Sequence, residues 1–538
     1  MQSVKKLSYF LYCLIFFILT SCTFFKANRP LPPPEILGEL VVAVLEAPGF
    51  FQQEGETMSG FEYDLTNQFA NSLGVTARYV SARDINQLSE LLTTNKVHLV
   101  ASLPNDSNTP NKRTHFSFSP PLRSVSYWVV GRDDTLGPND LAALSGHTVA
   151  IIAGSPLAQR LATLDEKSRP VVVEIPGQDE LTLLSQVSAQ KIPLAAVSDI
   201  ALDLASNFYP ELTPLVGLPG KTGLSWAYPP PPEDRALTRT MTKPITQPLP
   251  LPEVEPLSVR ANAFIEEAQK NGTIARLNDR YFGNVRRINS VGIAQFIKDS
   301  QTLLPKFRQH FHAAQNLTGI DWRLLAALAY QESHWDPLAT SPTNVRGMMM
   351  LTEETANHLG VDNRLDAASS IQGGARYLES LIEQLPDNIQ PPDRLWLALA
   401  GYNLGMGHLR GALAIAKDME YDPTSWYEMK KVLPLLSKPA VYDRLKAGPA
   451  RGGEAVILVE NIRTYYTILQ HLAPTSEASA FDLFRTTKSP EKSLPAASLT
   501  FSTKATDAKI ASPQSAGQVR RDLFAPAHPS TGARLRAQ

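Results

Sequence analysis

The sequence predicts an α/β domain followed by an all-α domain, carried on one exported chain. Three observations predict it. Short apolar runs alternate with helical stretches from Glu39 onward, and from about Ile293 helical periodicity stands alone. The chain also has 538 residues, more than one ordinary core organises. Strands spaced by helices make largely parallel sheets, whereas an unbroken helical period makes a bundle.

The first 22 residues stand apart from the fold. Lys5 and Lys6 give a positive start, residues 7–19 are nearly all apolar but short for a membrane span, and the segment ends Leu19-Thr20-Ser21-Cys22. Small residues before a cysteine resemble a bacterial lipobox, in which Cys22 is lipidated as the leader is removed. The plainer alternative is an ordinary signal peptide with a chance cysteine. Cys13 and Cys22 are the only cysteines, so the mature chain has no disulfide and relies on the size of its cores. Thr23, with no Asp there, resembles the sorting pattern that places the anchor at the periplasmic face of the outer membrane.

Residues 23–36 read as a linker, stiffened by Arg29-Pro30-Leu31-Pro32-Pro33-Pro34. The first domain spans residues 37–283. Its strands are read at residues 40–44, 77–80, 98–101, 127–130, 149–152, 171–173 and 194–197, with a helix at 64–73. A proline-rich insertion fills residues 229–256, and one helix is expected over 261–283. The second domain, residues 284–473, is helical throughout. Residues 474–538 are rich in Ser, Ala, Thr and Pro and read as a disordered tail.

With 51 basic and 52 acidic residues and no long block of one sign, nothing points to a nucleic-acid partner. Ten histidines are scattered without paired ligand spacing, so neither a metal nor a cofactor is expected.

One helix carries candidate chemistry. Asp321 is a plausible N-cap, and Leu325, Leu328 and Glu332 fall at i, i+3 and i+7. A carboxyl at the end of an apolar face is poorly solvated, which raises its pKa and suits a general acid. Taken alone, a glutamate that leaves the core to cap a turn is the plainer reading. Asp336 follows, but before Pro337 it reads as a turn-forming residue.

The first domain resembles the extracytoplasmic solute-binding proteins that capture amino acids. Its carriers are Gly60-Phe61-Glu62-Tyr63-Asp64-Leu65, Lys112-Arg113 with Phe116-Ser117-Phe118-Ser119-Pro120, Gly154-Ser155, Ala196-Val197-Ser198-Asp199 and Asn271-Gly272-Thr273-Ile274. The resemblance implies a bilobal periplasmic-binding-protein-like fold. It also implies that Arg113 grips a ligand carboxylate, Asp199 takes an ammonium group, and Ser102 contributes a strand-end hydroxyl. Asn105-Asp106-Ser107-Asn108-Thr109 lengthen the usual spacing before Arg113. The alternative is an inert scaffold in which Arg113 and Asp199 are surface ion-pair members.

The second domain resembles the soluble lytic transglycosylase type of lysozyme-like domain. Four blocks carry this: Glu332-Ser333-His334-Trp335-Asp336-Pro337, Arg346-Gly347-Met348-Met349-Met350-Leu351-Thr352, Gly373-Gly374-Ala375-Arg376-Tyr377-Leu378 and Ala400-Gly401-Tyr402-Asn403-Leu404-Gly405. Met350 in place of a usual Gln, with Pro434-Leu435-Leu436-Ser437 and Glu460-Asn461-Ile462-Arg463, resembles the F subgroup of membrane-bound lytic murein transglycosylases. That subgroup also carries an amino-acid-binding-like domain ahead of the catalytic one.

The resemblance implies that Glu332 acts first as acid and then as base on peptidoglycan glycan strands. Ser341, Met350, Tyr402, Asn403 and Tyr465 would line the cleft, and His334 and Trp335 would pack. The product would carry a 1,6-anhydro end, with no water consumed and no second carboxylate needed. Asn344 stands where many relatives have Gly, and Asn tolerates positive φ. The first domain would sense cell-wall peptides or amino acids and regulate the second. Two other readings stay open: a muramidase-type hydrolase, and a solute-binding lipoprotein whose helical domain is inactive.

Overall fold

A computed structural model describes residues 30–54, 57–105, 116–229, 255–284 and 288–473. Cys22, Arg113, most of the proline-rich insertion and the tail expected to be disordered lie outside the described residues. Among the described residues no helix is long and apolar enough to cross a membrane.

The strands of the first domain, in chain order, are β1 (Glu39–Leu45), β2 (Gln52–Glu54), β3 (Thr57–Ser59), β4 (Thr76–Ala82), β5 (Leu99–Asn105), β6 (Ser117–Phe118), β7 (Arg123–Arg132), β8 (Thr148–Ile152), β9 (Val171–Ile175), β10 (Ala195–Ser198) and β11 (Leu212–Tyr228). β2 and β3 pair as a hairpin; the others form one sheet ordered β4-β1-β5-β11-β7-β10-β8-β9, with β6 beside β11. β1 lies parallel to β4 and β5, and β8 parallel to β9 and β10. The long strands β7 and β11 run antiparallel between these groups and join two lobes. In β1, residues 40–44 are buried because apolar clusters cover both faces of the sheet, which explains their unbroken apolar run.

Two expectations are corrected here. β11 was not read as a strand, because Pro214, Gly217, Pro219, Gly220 and Gly223 interrupt its sequence pattern. Register shifts at Pro214/Val216 and Leu218/Lys221 absorb those breakers within the ladder. The single helix expected over 261–283 is two, Leu257–Lys270 and Thr273–Phe282, parted where Gly272 takes φ +77°.

The helical domain has one large core. At its centre lies the helix Trp322–Ser333, packed on Arg308–Thr318 and on the last helix, Gly452–Leu472. Asp321 caps it as expected: its Oδ1 accepts the Arg323 amide at 2.8 Å. Residues 322–330 are buried without exception, so the helix is enclosed on every side. The expected apolar face through Leu325 and Leu328 is therefore not a face at all.

The domains meet through the end of Thr273–Phe282. Arg463 donates to the Asp279 and Arg280 carbonyls at 2.8 Å each. From the other lobe, Phe208 stacks on His471 with ring centres 4.1 Å apart. One helix of the second domain thus touches both lobes of the first.

Candidate active site

Glu332 sits in the last turn of its helix. The helix ends before Pro337 is reached, with His334 at φ +52° and Trp335 at φ +61°. Such conformations are costly for residues other than glycine, and here burial of Trp335 holds them in place. The Trp335 indole donates to the Ala326 carbonyl at 2.8 Å. Asp336 forms the turn expected of it, its Oδ1 accepting the Leu338 amide at 2.9 Å.

The Glu332 carboxyl makes no hydrogen bond to any described residue. Part of the residue meets solvent, as an acid that must reach a substrate requires. Protein nonetheless desolvates the carboxyl, and burial pushes its pKa up to about 8.

A turn over residues 346–351 abuts this helix end. Ser333, next to Glu332, donates from Oγ to the Met348 carbonyl at 2.8 Å. The Met349 amide donates to Ser370 Oγ at 3.2 Å, and the Met349 carbonyl accepts the Tyr402 hydroxyl at 2.8 Å. Arg364 donates to the carbonyls of Asn344 at 2.8 Å and Leu351 at 3.1 Å. Gly347 takes φ +86°, and a Cβ there would overlap the Arg364 carbonyl, so only glycine fits. Met350, half-buried at φ +46°, is held on this pinned turn.

The structure brings Glu332, Tyr402 and the Met350 turn together. Burial first, and then the neighbouring charge of Glu332, push the Tyr402 phenol well above its ordinary pKa. Asn403 is exposed beside it. Tyr465 packs against Phe296 and Tyr330, with ring centres 4.4 and 5.0 Å away, and burial pushes its pKa up to about 12.

Ser341, expected to line the cleft, bonds within its own turn. Its Oγ accepts the Val345 amide at 3.1 Å and shares a hydrogen bond with Thr343, serving its own turn and not Glu332. Asn344 closes that turn at φ +62°, the conformation for which Asn substitutes for Gly. Ser333, Ser370 and Arg364 were missed, because their roles are hydrogen bonds to distant backbone that no spacing announces.

The first domain has a cleft of its own between the lobes, a cavity of about 140 Å³ with mostly apolar walls that include Phe51, Tyr127 and Ile200. Glu62, Asp179 and Glu180 line it, and two of these carboxyls are buried. Glu62 accepts the Ser102 hydroxyl and, at 2.9 Å, the Trp226 indole N–H; burial outweighs both bonds and pushes its pKa up to about 7. Glu180 accepts the Ser198 amide at 3.0 Å and its hydroxyl at 2.5 Å, and burial pushes it to about 6. Ser102 lines the cavity at φ +48°. Asp199 does not: its oxygens accept the Ser126 amide at 3.1 Å and the Ile200 amide at 2.9 Å. Glu180, in no recognisable motif, was missed.

Comparison with known proteins gives two family matches in chain order. Residues 40–284 match bacterial extracellular solute-binding proteins, family 3, and residues 309–424 match the transglycosylase SLT domain. A protein of Nitrosospira multiformis named membrane-bound lytic murein transglycosylase F is 37% identical over 463 residues, covering 85% of this chain and 90% of its own. One of the same name from Thiobacillus denitrificans is 40% identical over 453 residues, covering 83% and 91%. Among solved structures, a mutant of ArgBP from T. maritima covers 46% of this chain and 97% of its own at 19% identity, TM-score 0.37. The GluR0 ligand-binding core from Nostoc punctiforme, in complex with (L)-glutamate, covers 45% and 99% at 19% identity, TM-score 0.36.

Proposed function

This chain belongs to the membrane-bound lytic murein transglycosylase F family, and on that premise we propose that Glu332 alone cleaves the β-1,4 bond between N-acetylmuramic acid and N-acetylglucosamine. One observation carries the reading: the Glu332 carboxyl is buried at its helix end with no hydrogen-bond partner among the described residues, and burial pushes its pKa up to about 8. Protonated, it gives that proton to the glycosidic oxygen as the C1–O bond breaks. As carboxylate, it takes the proton of the same sugar's C6 hydroxyl, whose oxygen closes on C1. The product is a 1,6-anhydro end, no water enters, and the tethered hydroxyl has the high effective concentration of an intramolecular nucleophile.

Tyr402 stands beside the developing positive charge, and Met350, Asn403 and Tyr465 border the sugar. Ser341 shapes the turn that approaches it. Residues 284–473 form the catalytic unit. Residues 37–283 bind amino acids or cell-wall peptides in the inter-lobe cleft as a regulator, with Glu62, Ser102 and Glu180 at the cavity and Arg113 as the carboxylate grip. Cys22 carries the lipid that holds the chain at the periplasmic face of the outer membrane.

Mass spectrometry of sugars released from sacculi tests the chemistry. Anhydro ends are lighter than hydrolysed ones by one water; hydrolysed ends would establish the muramidase alternative, and intact sacculi the inactive one. Glu332→Gln is the control, and its release should fall by about 10² to 10⁴.

A further inference from the structure

We propose that Arg280, a residue of the first domain, is a positioning residue for the catalytic site of the second. The geometry is a bridge. Arg280 Nη1 donates to Asp64 Oδ2 at 3.0 Å and Nη2 to Asp393 Oδ2 at 2.9 Å. Asp64 belongs to the helix Phe61–Ser72 of the first domain, and it also accepts the Tyr281 hydroxyl at 2.8 Å. Asp393 opens the helix Asp393–Leu404 of the second domain, and its other oxygen accepts the Trp426 amide at 2.7 Å.

That second helix ends at the site. Tyr402 and Asn403 lie in its last turn, and Tyr402 holds the Met349 carbonyl beside Glu332. Nine residues at about 1.5 Å each put Tyr402 about 14 Å from Asp393 along the axis. Residues 395–401 are buried throughout, so the helix shifts as a unit and a displacement at Asp393 arrives at Tyr402.

An ion pair with partly exposed members adds little stability of its own. Its contribution is register: one planar guanidinium fixes the start of the catalytic helix against a helix of the other domain. Arg463 strengthens the hold, because it donates to the Arg280 carbonyl from the last helix.

This inference rests on the Glu332 chemistry above, which the wild-type product itself tests; the variants are judged only by their ratio to wild type. Full-length protein is assayed on uncrosslinked glycan strands. Arg280→Ala should lower kcat on the order of ten- to a hundred-fold, as misplacement of a site residue does, with KM changed less than about two-fold. Arg280→Lys should recover part of the loss, since it reaches one partner, and Arg78→Ala, which breaks an exposed pair of the first domain, should leave the rate unchanged. In a Tyr402→Phe background the Arg280→Ala loss should shrink to about two-fold or less, the mark of two residues acting through one contact. Wild-type rates in Arg280→Ala overturn the proposal, as does an undiminished loss in the Tyr402→Phe background. If Arg280→Ala does not fold, Asp393→Asn is read by the same two criteria.

Discussion

Glu332 and Glu62 are both carboxyls buried by the fold, and desolvation pushes both up, to about 8 and about 7. Their surroundings differ in one respect. Glu62 is met by two donors, the Ser102 hydroxyl and the Trp226 indole, whereas Glu332 is met by none among the described residues. A buried polar group without a partner is costly, and folds retain few of them. The satisfied carboxyl is part of the architecture of the inter-lobe cleft, and the unsatisfied one has the environment that the proposed proton transfer requires. Of the two, only Glu332 keeps both oxygens free for a proton transfer.

The largest effect tests that contrast directly. The folded pKa of Glu332 lies above its ordinary value of 4.5, so the folded state keeps a proton that the unfolded state releases. The resulting penalty is absent below pH about 4.5, grows as pH rises, and is complete above about 8. Glu332→Gln removes it. The variant should lose activity by about 10² to 10⁴ and gain stability at pH 8, by on the order of 3 kcal/mol, with little gain at pH 4. Thermal melts at both pH values check this; a variant destabilised at pH 8 would mean the carboxyl has an unseen partner.

The pH–rate profile is next in size. A general acid must hold its proton in the free enzyme, so kcat/KM should fall about ten-fold per unit once pH exceeds about 8. A limb near pH 5 instead would assign the acid to a solvated carboxyl. Tyr402→Phe sharpens the measurement: losing the hydroxyl that ties Met349 loosens the turn, admits water to Glu332 and moves the limb to lower pH.

Much of this was legible in the residues. β1 announced itself because both of its faces are covered, and Asp321 and Asp336 did so because capping and turn-forming are local chemistry. Glu332 is singled out by the order of four blocks, whereas its helix is enclosed on all sides and not amphipathic. What stayed hidden is non-local. β11 hides behind its own prolines and glycines because only the partner strands reveal that bulges accommodate them. Glu180 faces the cleft, and Asp199 turns onto the backbone, through contacts between segments far apart in the chain. Arg280 looks like any surface arginine until both domains are present.

Glu62 supplies the smallest effect and the cleanest separation of the two sites. Glutamine at this position keeps an acceptor for the Trp226 indole, and its amide can donate to Ser102 Oγ, whose own proton is free to turn elsewhere. Glu62→Gln should therefore change stability by only about 1 kcal/mol. Its sign at pH 8 should be positive, because the folded pKa of about 7 is again a raised one. Turnover of glycan strands should stay within about two-fold of wild type. Glu62→Leu keeps the bulk but strands the buried indole N–H, which costs about 1–3 kcal/mol. Calorimetric unfolding at pH 8 separates the pair, and a Glu62→Gln as destabilised as the leucine variant would show that the charge, and not the hydrogen bonding, is what the first domain needs there.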